Sequence, residues 1–416
     1  MKLKNIETRL KLRNIEYIKN DKNYGIKYEW NLIRKEFKKL NIPKNVYTPT
    51  HLPFEKLHIF VIMSERSVGK TTNFLLLGMI MNKLYGTIIH YVRQRDDEIV
   101  PKALKDLFTT ILQYDYVSKI TNGKYNSVHY NARRWYYCTV DDTGEIIDID
   151  TNHFMFCCSV NKMDNLKSSY NCPTGDIIIF DEFVEQYYYP NEFINFSQLA
   201  KTIMRDRLSP IICFLANGTD PNNEYLNELE LYDNIQGLKK GEWIISEGSK
   251  GTKIYFEITP DNEERKAKKS LSNKQYFGFK NPLLSSITGE EEWSFKNYPH
   301  IPPINKTQNR KNEKIEYITQ NIYIKHNSRI IRLDLVNNEN KGLCIYAHWS
   351  KIDDFYDDSY IFTSGEILDS RYHYKFGNDK ISKIIWGLYK NNKFYFSQND
   401  VGAFVEKYVQ YCNRLI

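Results

Sequence analysis

The 416-residue sequence predicts an α/β fold, with a mostly parallel sheet covered by helices on both faces and a small second α/β domain behind it. Three observations predict it. Apolar runs of strand length alternate with stretches of helical length, the pattern of a buried parallel sheet. Two of those runs stop at polar signatures, SERSVGKTT at 64–72 and Asp181-Glu182. The alternation breaks at 257–312 and returns from 313 onward.

The elements follow in order. Within 28–40, Trp30, Ile33 and Phe37 recur at helical spacing, which predicts a short amphipathic helix. Pro43 and Pro49 end it and start an extended segment. LHIFVIM is a continuous apolar strand, and TTNFLLLGMIMNKLYG is a helix closed by Gly86. GTIIHYVRQ is the next strand. DEIVPKALKDLFTTILQY reads as helical, with Pro101 near its start. RRWYYCTVDDTGEIIDID alternates around Asp142-Thr143-Gly144, which predicts a hairpin. NHFMFCCSV reads as a further strand. GDIIIFDEF is a short buried strand ending in two acids, 191–207 is helical, and SPIICFLANGT is a buried strand running out at Asn217.

The charge run ERKAKKS and the prolines of HIPPIN mark 257–312 as a linker or lid. Alternating segments return with YITQNIYIK, RIIRLDLV and GLCIYAHW, and the chain closes with KIIWGLYK, KFYFS and a helix at VGAFVEKYVQYC. The expected division is therefore a basic N-terminal arm or helix at 1–45, a nucleotide-binding domain at 46–256, the linker at 257–312 and a C-terminal domain at 313–416.

Composition narrows the class. A hydrophobic content of 41% with 14% aromatics is that of a globular chain. No run reaches the ~20 apolar residues of a membrane span, and the charged start MKLKNIETRLKLRN is not a signal peptide. Seven cysteines without a CxxC spacing predict reduced thiols in a cytosolic compartment and no structural zinc. The net charge of +7 is concentrated in residues 1–50, where thirteen Lys or Arg face five Asp or Glu. Such an arm suits a polyanion, and it equally suits a solvated helix with lysines outward.

SERSVGKTT stands between an apolar strand and an apolar helix, the setting of a phosphate-binding loop. Main-chain N–H groups of such a loop surround phosphates at a helix N-terminus, a lysine reaches the β- and γ-phosphates, and the next hydroxyl binds Mg2+. Ser64, Glu65, Arg66, Ser67, Val68, Gly69, Lys70, Thr71 and Thr72 are the expected nucleotide-binding residues. The pattern departs at Ser64, where a glycine is usual. The donors of the loop are main-chain, so a small residue with negative φ is compatible there. Roughly 110 residues later, four apolar residues run into Asp181-Glu182. Asp181 is the metal-side carboxylate and Glu182 the base that polarises water, an arrangement for ATP hydrolysis. Asn217 ends another strand where it could sense the γ-phosphate. Arg205 and Arg207 follow the helix after the acids, and an arginine there could complete a neighbour's site or simply cap its own helix.

The ordered set SERSVGKTT, YVRQRDDEI, LKSSYN, IIIFDEF, YPNEFINFSQLAKTIMRDR and CFLANG resembles the DNA encapsidation ATPases of small tailed bacteriophages with protein-primed genomes, compact relatives of large terminases. The resemblance spans most of residues 45–416 and continues weakly through RIIRLDLVNNENKGLCIYAH and FYFSQNDVGAFVEKY. It implies an additional-strand P-loop domain followed by a small RNase H-like domain. It implies ATP and Mg2+ as ligands, and a ring, generally of five subunits, that works in the host cytoplasm. The ring sits transiently on the portal of a prohead, directly or through an adaptor, and pumps double-stranded DNA inward. Matched by position, Lys70 and Thr71 serve phosphate and Mg2+, Asp181 and Glu182 keep the roles above, and Arg205 is the arginine acting on the neighbouring subunit. Asn217 is the sensor, and Lys167 of LKSS is a subunit-boundary residue. Arg93, in YVRQ, is grouped with Lys167 as a DNA or subunit contact. The glycine-poor 64–67 segment implies weakened nucleotide affinity.

Asp334, on RIIRLDLV, is a candidate for the first carboxylate of a two-metal nuclease site. Asp353, Asp354, Asp357 and Asp358 bunch in a polar loop instead of converging on it, which predicts an inactive nuclease-like domain. A terminase with a live endonuclease, another P-loop ATPase such as a helicase or kinase, and a non-enzymatic basic DNA-binding protein are the alternative readings.

Overall fold

The structure is a computed structural model, and it describes residues 17–20, 23–64, 68–165, 175–184, 192–205, 207–217, 223–232, 234–235, 237–260, 298–300, 315–326, 329–350, 355, 357–364, 367–373 and 379–414. The chain divides into two units, Met1–Trp293 and Ser294–Ile416. Most of the expected linker, 261–297 and 301–312, lies outside the described residues, as do 1–16 of the basic arm.

The first unit opens with a two-stranded ribbon, β1 (Tyr17–Asn20) and β2 (Asn23–Ile26), and helix α1 (Trp30–Lys38). The expected amphipathic helix is present, but it is not a separate arm. Trp30, Ile33 and Phe37 are buried in the unit's core, and Trp30 stacks on Phe54 with ring centroids 4.6 Å apart. Arg34 donates to the carbonyl oxygens of Thr50 and Leu52, so the helix is tied to the chain that leads into the sheet.

That sheet has nine strands. In chain order they are β3 (Ile59–Met63), β4 (Ile89–Arg93), β5 (Ser127–Asn131), β6 (Arg134–Val140), β7 (Ile146–Ser159), β8 (Ile177–Asp181), β9 (Ile211–Ala216), β10 (Trp243–Glu247) and β11 (Lys253–Ile258). Across the sheet they run β10-β11-β3-β9-β8-β4-β7-β6-β5. The strands from β11 to β7 are mutually parallel, and the pairs β10–β11, β7–β6 and β6–β5 are antiparallel. β9 stands between β3 and β8, which is the additional-strand arrangement. The runs IFVIM, IIIFD and IICFLA are continuous and apolar because both faces of these central strands are covered. β11 ends at Ile258, so the sheet reaches two residues past the expected boundary at 256.

Helix α2 (Lys70–Tyr85) follows β3 and is buried from Asn73 to Met81. Gly86, with φ +70°, ends it by donating its N–H to Asn82 O. The expected helix at 97–114 is not one helix. A 3-10 turn covers Asp96–Ile99, turns continue past Pro101, and only α3 (Thr109–Gln113) and α4 (Tyr116–Thr121) are helical. Pro101 supplies no N–H, so a helix begun before it cannot run through. The hairpin arm and the strand expected after it are one fourteen-residue strand, β7. After β8 comes α5 (Glu192–Met204), and after β9 a short α6 (Glu224–Glu228).

The second unit has a six-stranded sheet of β12 (Ile315–His326), β13 (Arg329–Asn338), β14 (Gly342–Trp349), β15 (Tyr360–Thr363), β16 (Tyr372–His373) and β17 (Phe394–Phe396). The order is β16-β15-β12-β13-β14-β17. The first three strands form an antiparallel meander, and β15 and β16 add parallel to β12, which is the strand order of an RNase H-like sheet. α7 (Lys380–Lys390) and α8 (Asn399–Arg414) supply Ile385, Val401, Val405 and Tyr408 to its core.

Candidate nucleotide site

Register brings the expected residues to one edge of the first sheet. Met63 of β3 pairs with Ala216 of β9, and Leu215 of β9 pairs with Asp181 of β8. Ser64, Asp181 and Asn217 therefore leave the sheet side by side at its C-terminal edge, where open α/β sheets take their ligands. Gly69 precedes α2 with φ +86°, and a Cβ there would lie 2.4 Å from Val46 Cγ1. The position needs a glycine both for its backbone and for the segment passing over it. That segment is pinned to the loop, since Tyr47 N–H donates to Val68 O at 3.0 Å.

Lys70 and Thr71 open α2 and point at the neighbouring strand ends. Lys70 is 5% exposed. Its Nζ donates to Asn217 Oδ1 at 2.7 Å and to Ser64 Oγ. Burial lowers its pKa to about 8, against the pull of the Asp181 and Glu182 carboxylates, which favour the charged form. Thr71 Oγ1 donates at 3.0 Å to each oxygen of Asp181. Tyr91 of β4 donates its hydroxyl to Asp181 Oδ2 at 2.8 Å. Burial raises the Asp181 carboxyl pKa, and Arg93, Tyr91 and Thr71 work against that rise.

Glu182 follows on the strand end with φ +55°, an uncommon conformation for a residue with a side chain. Its carboxylate reaches the rim of the site and accepts from Arg93 Nη2 at 2.7 Å. The same guanidinium donates to Glu98 at 2.8 Å and lies 3.8 Å from Asp181. Burial alone would lower the Arg93 pKa, but Tyr91, Glu182, Asp181 and Glu98 outweigh it, so the cation is held more firmly than usual.

Ser64, Gly69, Lys70, Thr71, Asp181, Glu182 and Asn217 are thus brought together. Val68 is buried with its carbonyl engaged by Tyr47, and Thr72 stands half-buried in the first turn of α2. Glu65, Arg66, Ser67 and Lys167 lie outside the described residues. Two expectations change. The Ser64 amide donates to Ala216 O at 3.1 Å, so Ser64 offers the site its hydroxyl and not its N–H. Arg93, expected as a DNA or subunit contact, turns its guanidinium to the acids of its own site. Arg205 is exposed in the turn after α5. Arg207, two residues on, is buried and paired with Asp176 at the start of β8. Five strand residues, about 16 Å of chain, separate that end of β8 from Asp181, so Arg205 belongs to the opposite edge of the sheet from its own Lys70.

Two solved structures share this fold. One is described as the Phi-28 gp11 DNA packaging motor, with a TM-score of 0.54, 17% identity, and 90% of this chain and 99% of that chain covered. The other is the bacteriophage Phi-29 viral genome packaging motor assembly, with a TM-score of 0.55, 15% identity, and 89% and 100% covered. The chain carries the fold of those packaging-motor proteins. No protein-family model matches it, and no curated protein matches it in sequence.

Within that fold, sequence reasoning passed over Tyr91 and over the place of Arg93 among the acids. The two are alternate residues of IHYVR, so they share a face of β4, and β4 pairs with β8 in register Tyr91↔Ile179. That face also carries Asp181. A polar pair at period two inside a buried strand was the available signal. Magnesium is the ion the sequence resemblance implies. The Thr71 hydroxyl and Asp181 carboxylate are hard oxygen donors of the kind it takes. Among the described residues no group of three or more His, Cys, Asp or Glu gathers to hold a metal ion.

Proposed function

We propose that this chain is the ATP-hydrolysing subunit of a ring that drives double-stranded viral DNA into a prohead. One observation carries the hydrolytic half: Thr71 at the N-terminus of α2 meets Asp181 of β8, with Lys70, Glu182 and Asn217 around them. The fold shared with the two packaging-motor structures supports the translocating half. The loop amides and Lys70 bind the triphosphate, and its arrival draws Lys70 from Asn217. Thr71 and Asp181 would hold Mg2+, which would neutralise charge on the phosphate oxygens. Glu182 orients the attacking water and accepts its proton, and Arg93 steers the Glu182 carboxylate until nucleotide is present. Arg205, remote from its own Lys70, serves the next subunit's phosphates. DNA is gripped through its backbone, independently of sequence.

By resemblance the ring has five subunits and sits on the portal, directly or through an adaptor, in the host cytoplasm. Among the described residues, no helix is long and apolar enough to cross a membrane. The C-terminal unit is proposed to dock or touch DNA without cutting it. Asp334 accepts from Arg332 Nε at 2.8 Å and lies 3.1 Å from His348 Nε2, so its oxygens already have side-chain partners.

The deciding experiment measures ATP hydrolysis with DNA and portal-bearing proheads. Glu182→Gln should lower turnover about a hundredfold or more while nucleotide still binds. Glu182→Gln and Arg205→Ala subunits, each inactive alone, should regain activity when mixed. Full hydrolysis by Glu182→Gln would overturn the assignment, and a mixture as inactive as its parts would remove Arg205 from its neighbour's site. Nicking of plasmid by the full chain with Mn2+ would overturn the docking role.

A further inference from the structure

We propose that Tyr91 is the positioning residue for the magnesium carboxylate, fixing Asp181 so that it can receive a hydrated ion. The inference rests on the ATPase reading and adds to it a residue that never touches nucleotide. Tyr91 is 3% exposed, and its hydroxyl ends 2.8 Å from Asp181 Oδ2. A buried phenol needs a partner, and here the partner is the carboxylate itself. Thr71 reaches both Asp181 oxygens from the other side. The carboxylate is therefore held between a hydroxyl on α2 and a hydroxyl on β4, and it cannot turn about its own axis without breaking one of them. Thr71 can keep donating its hydrogen while an oxygen lone pair meets the ion. Tyr91 fixes Oδ2, and Oδ1, which meets only Thr71, keeps a second lone pair that can accept from water bound to the ion. Hydrogen-bond partners of this kind typically govern metal affinity or activity by ten- to a hundredfold.

Tyr91→Phe keeps the ring and removes only the oxygen, so it isolates this bond. The probe is Mn2+ uptake in the presence of ADP, read by the electron paramagnetic resonance of free Mn2+, which needs no turnover. Tyr91→Phe should raise the Mn2+ dissociation constant about tenfold. Metal-free ADP should bind it as it binds the unaltered protein, and that equality reports an intact loop. The Mg2+ concentration for half-maximal hydrolysis should rise in parallel, with most of kcat recovered at saturating Mg2+. Unchanged Mn2+ uptake would overturn the proposal. So would an equal loss of metal-free ADP binding, which would make Tyr91 a support of the loop. If the unaltered chain took up no Mn2+ with ADP, the ATPase reading itself would fall, and this inference with it.

Discussion

At the residue scale, the site is tuned by what surrounds Lys70. Its ammonium is buried and shared between Asn217 and Ser64, and burial lowers its pKa to about 8. A triphosphate favours the charged form, so binding above pH 8 must take up a proton. The sign follows: affinity is steady well below pH 8 and falls as pH rises through it. With half the lysines charged at pH 8 and about a tenth at pH 9, the loss is about fivefold over that unit. Titrating a fluorescent ATP analogue at the two pH values measures it. Lys70→Met should bind weakly at both and lose the dependence. A flat profile for the unaltered protein would mean that the lysine keeps its charge in the empty site. Ser64 then has a physical reason to replace glycine: its hydroxyl gives Lys70 a resting partner, and the nucleotide must displace it.

At the element scale, α2 is fixed against the sheet by the absence of a side chain at Gly78. A Cβ there would stand 2.5 Å from Ile89 Cγ1 and 2.6 Å from its Cδ1. Alanine improves helix propensity by about 1 kcal/mol, but overpacking a close-packed core costs about 1–3 kcal/mol. Gly78→Ala should therefore destabilise the first unit by about 1 kcal/mol, measured as a lower urea midpoint. Ile89→Val should restore part of the loss in the double variant, because the two sites share one contact. Additivity would place the strain elsewhere. The same elements explain what the sequence made legible. The phosphate loop and the Asp181-Glu182 strand are local patterns, readable because each is a single run of chain. Tyr91 and Arg93 act only through the pairing of β4 with β8, which no local window contains. β7 reads as two strands because its first half pairs with β6 alone and is exposed, its isoleucines alternating with Asp148 and Asp150. Only from Met155 does it also shelter against β4 and turn apolar.

At the scale of the whole molecule, two cores built on different sheets carry the same acid weakness. In the first unit His90 is fully buried on β4, and burial, with the Arg207 charge, lowers its pKa to about 3. In the second, burial and Lys407 lower His326 to about 4. An unfolded histidine titrates near 6.5. A folded pKa below that value means the unfolded chain gains protons first, so stability falls as pH drops from about 6.5 toward 4 and 3. Each group should cost about 2 kcal/mol by pH 5, at about 1.4 kcal/mol per pH unit. Two groups work the other way. His51 is raised through Glu257 despite burial, and Asp181 is raised by burial, so protonation favours the folded state at both. Total stability would mix these signs, so the test compares slopes. Urea unfolding of the full chain at pH 7 and pH 5 is measured beside His90→Gln and His326→Gln. Each variant should lose about 2 kcal/mol less than the unaltered protein over that interval, in the transition of its own unit. Equal losses in all three proteins would mean that both histidines are charged while folded, and that the acid limit of the molecule is set by other groups.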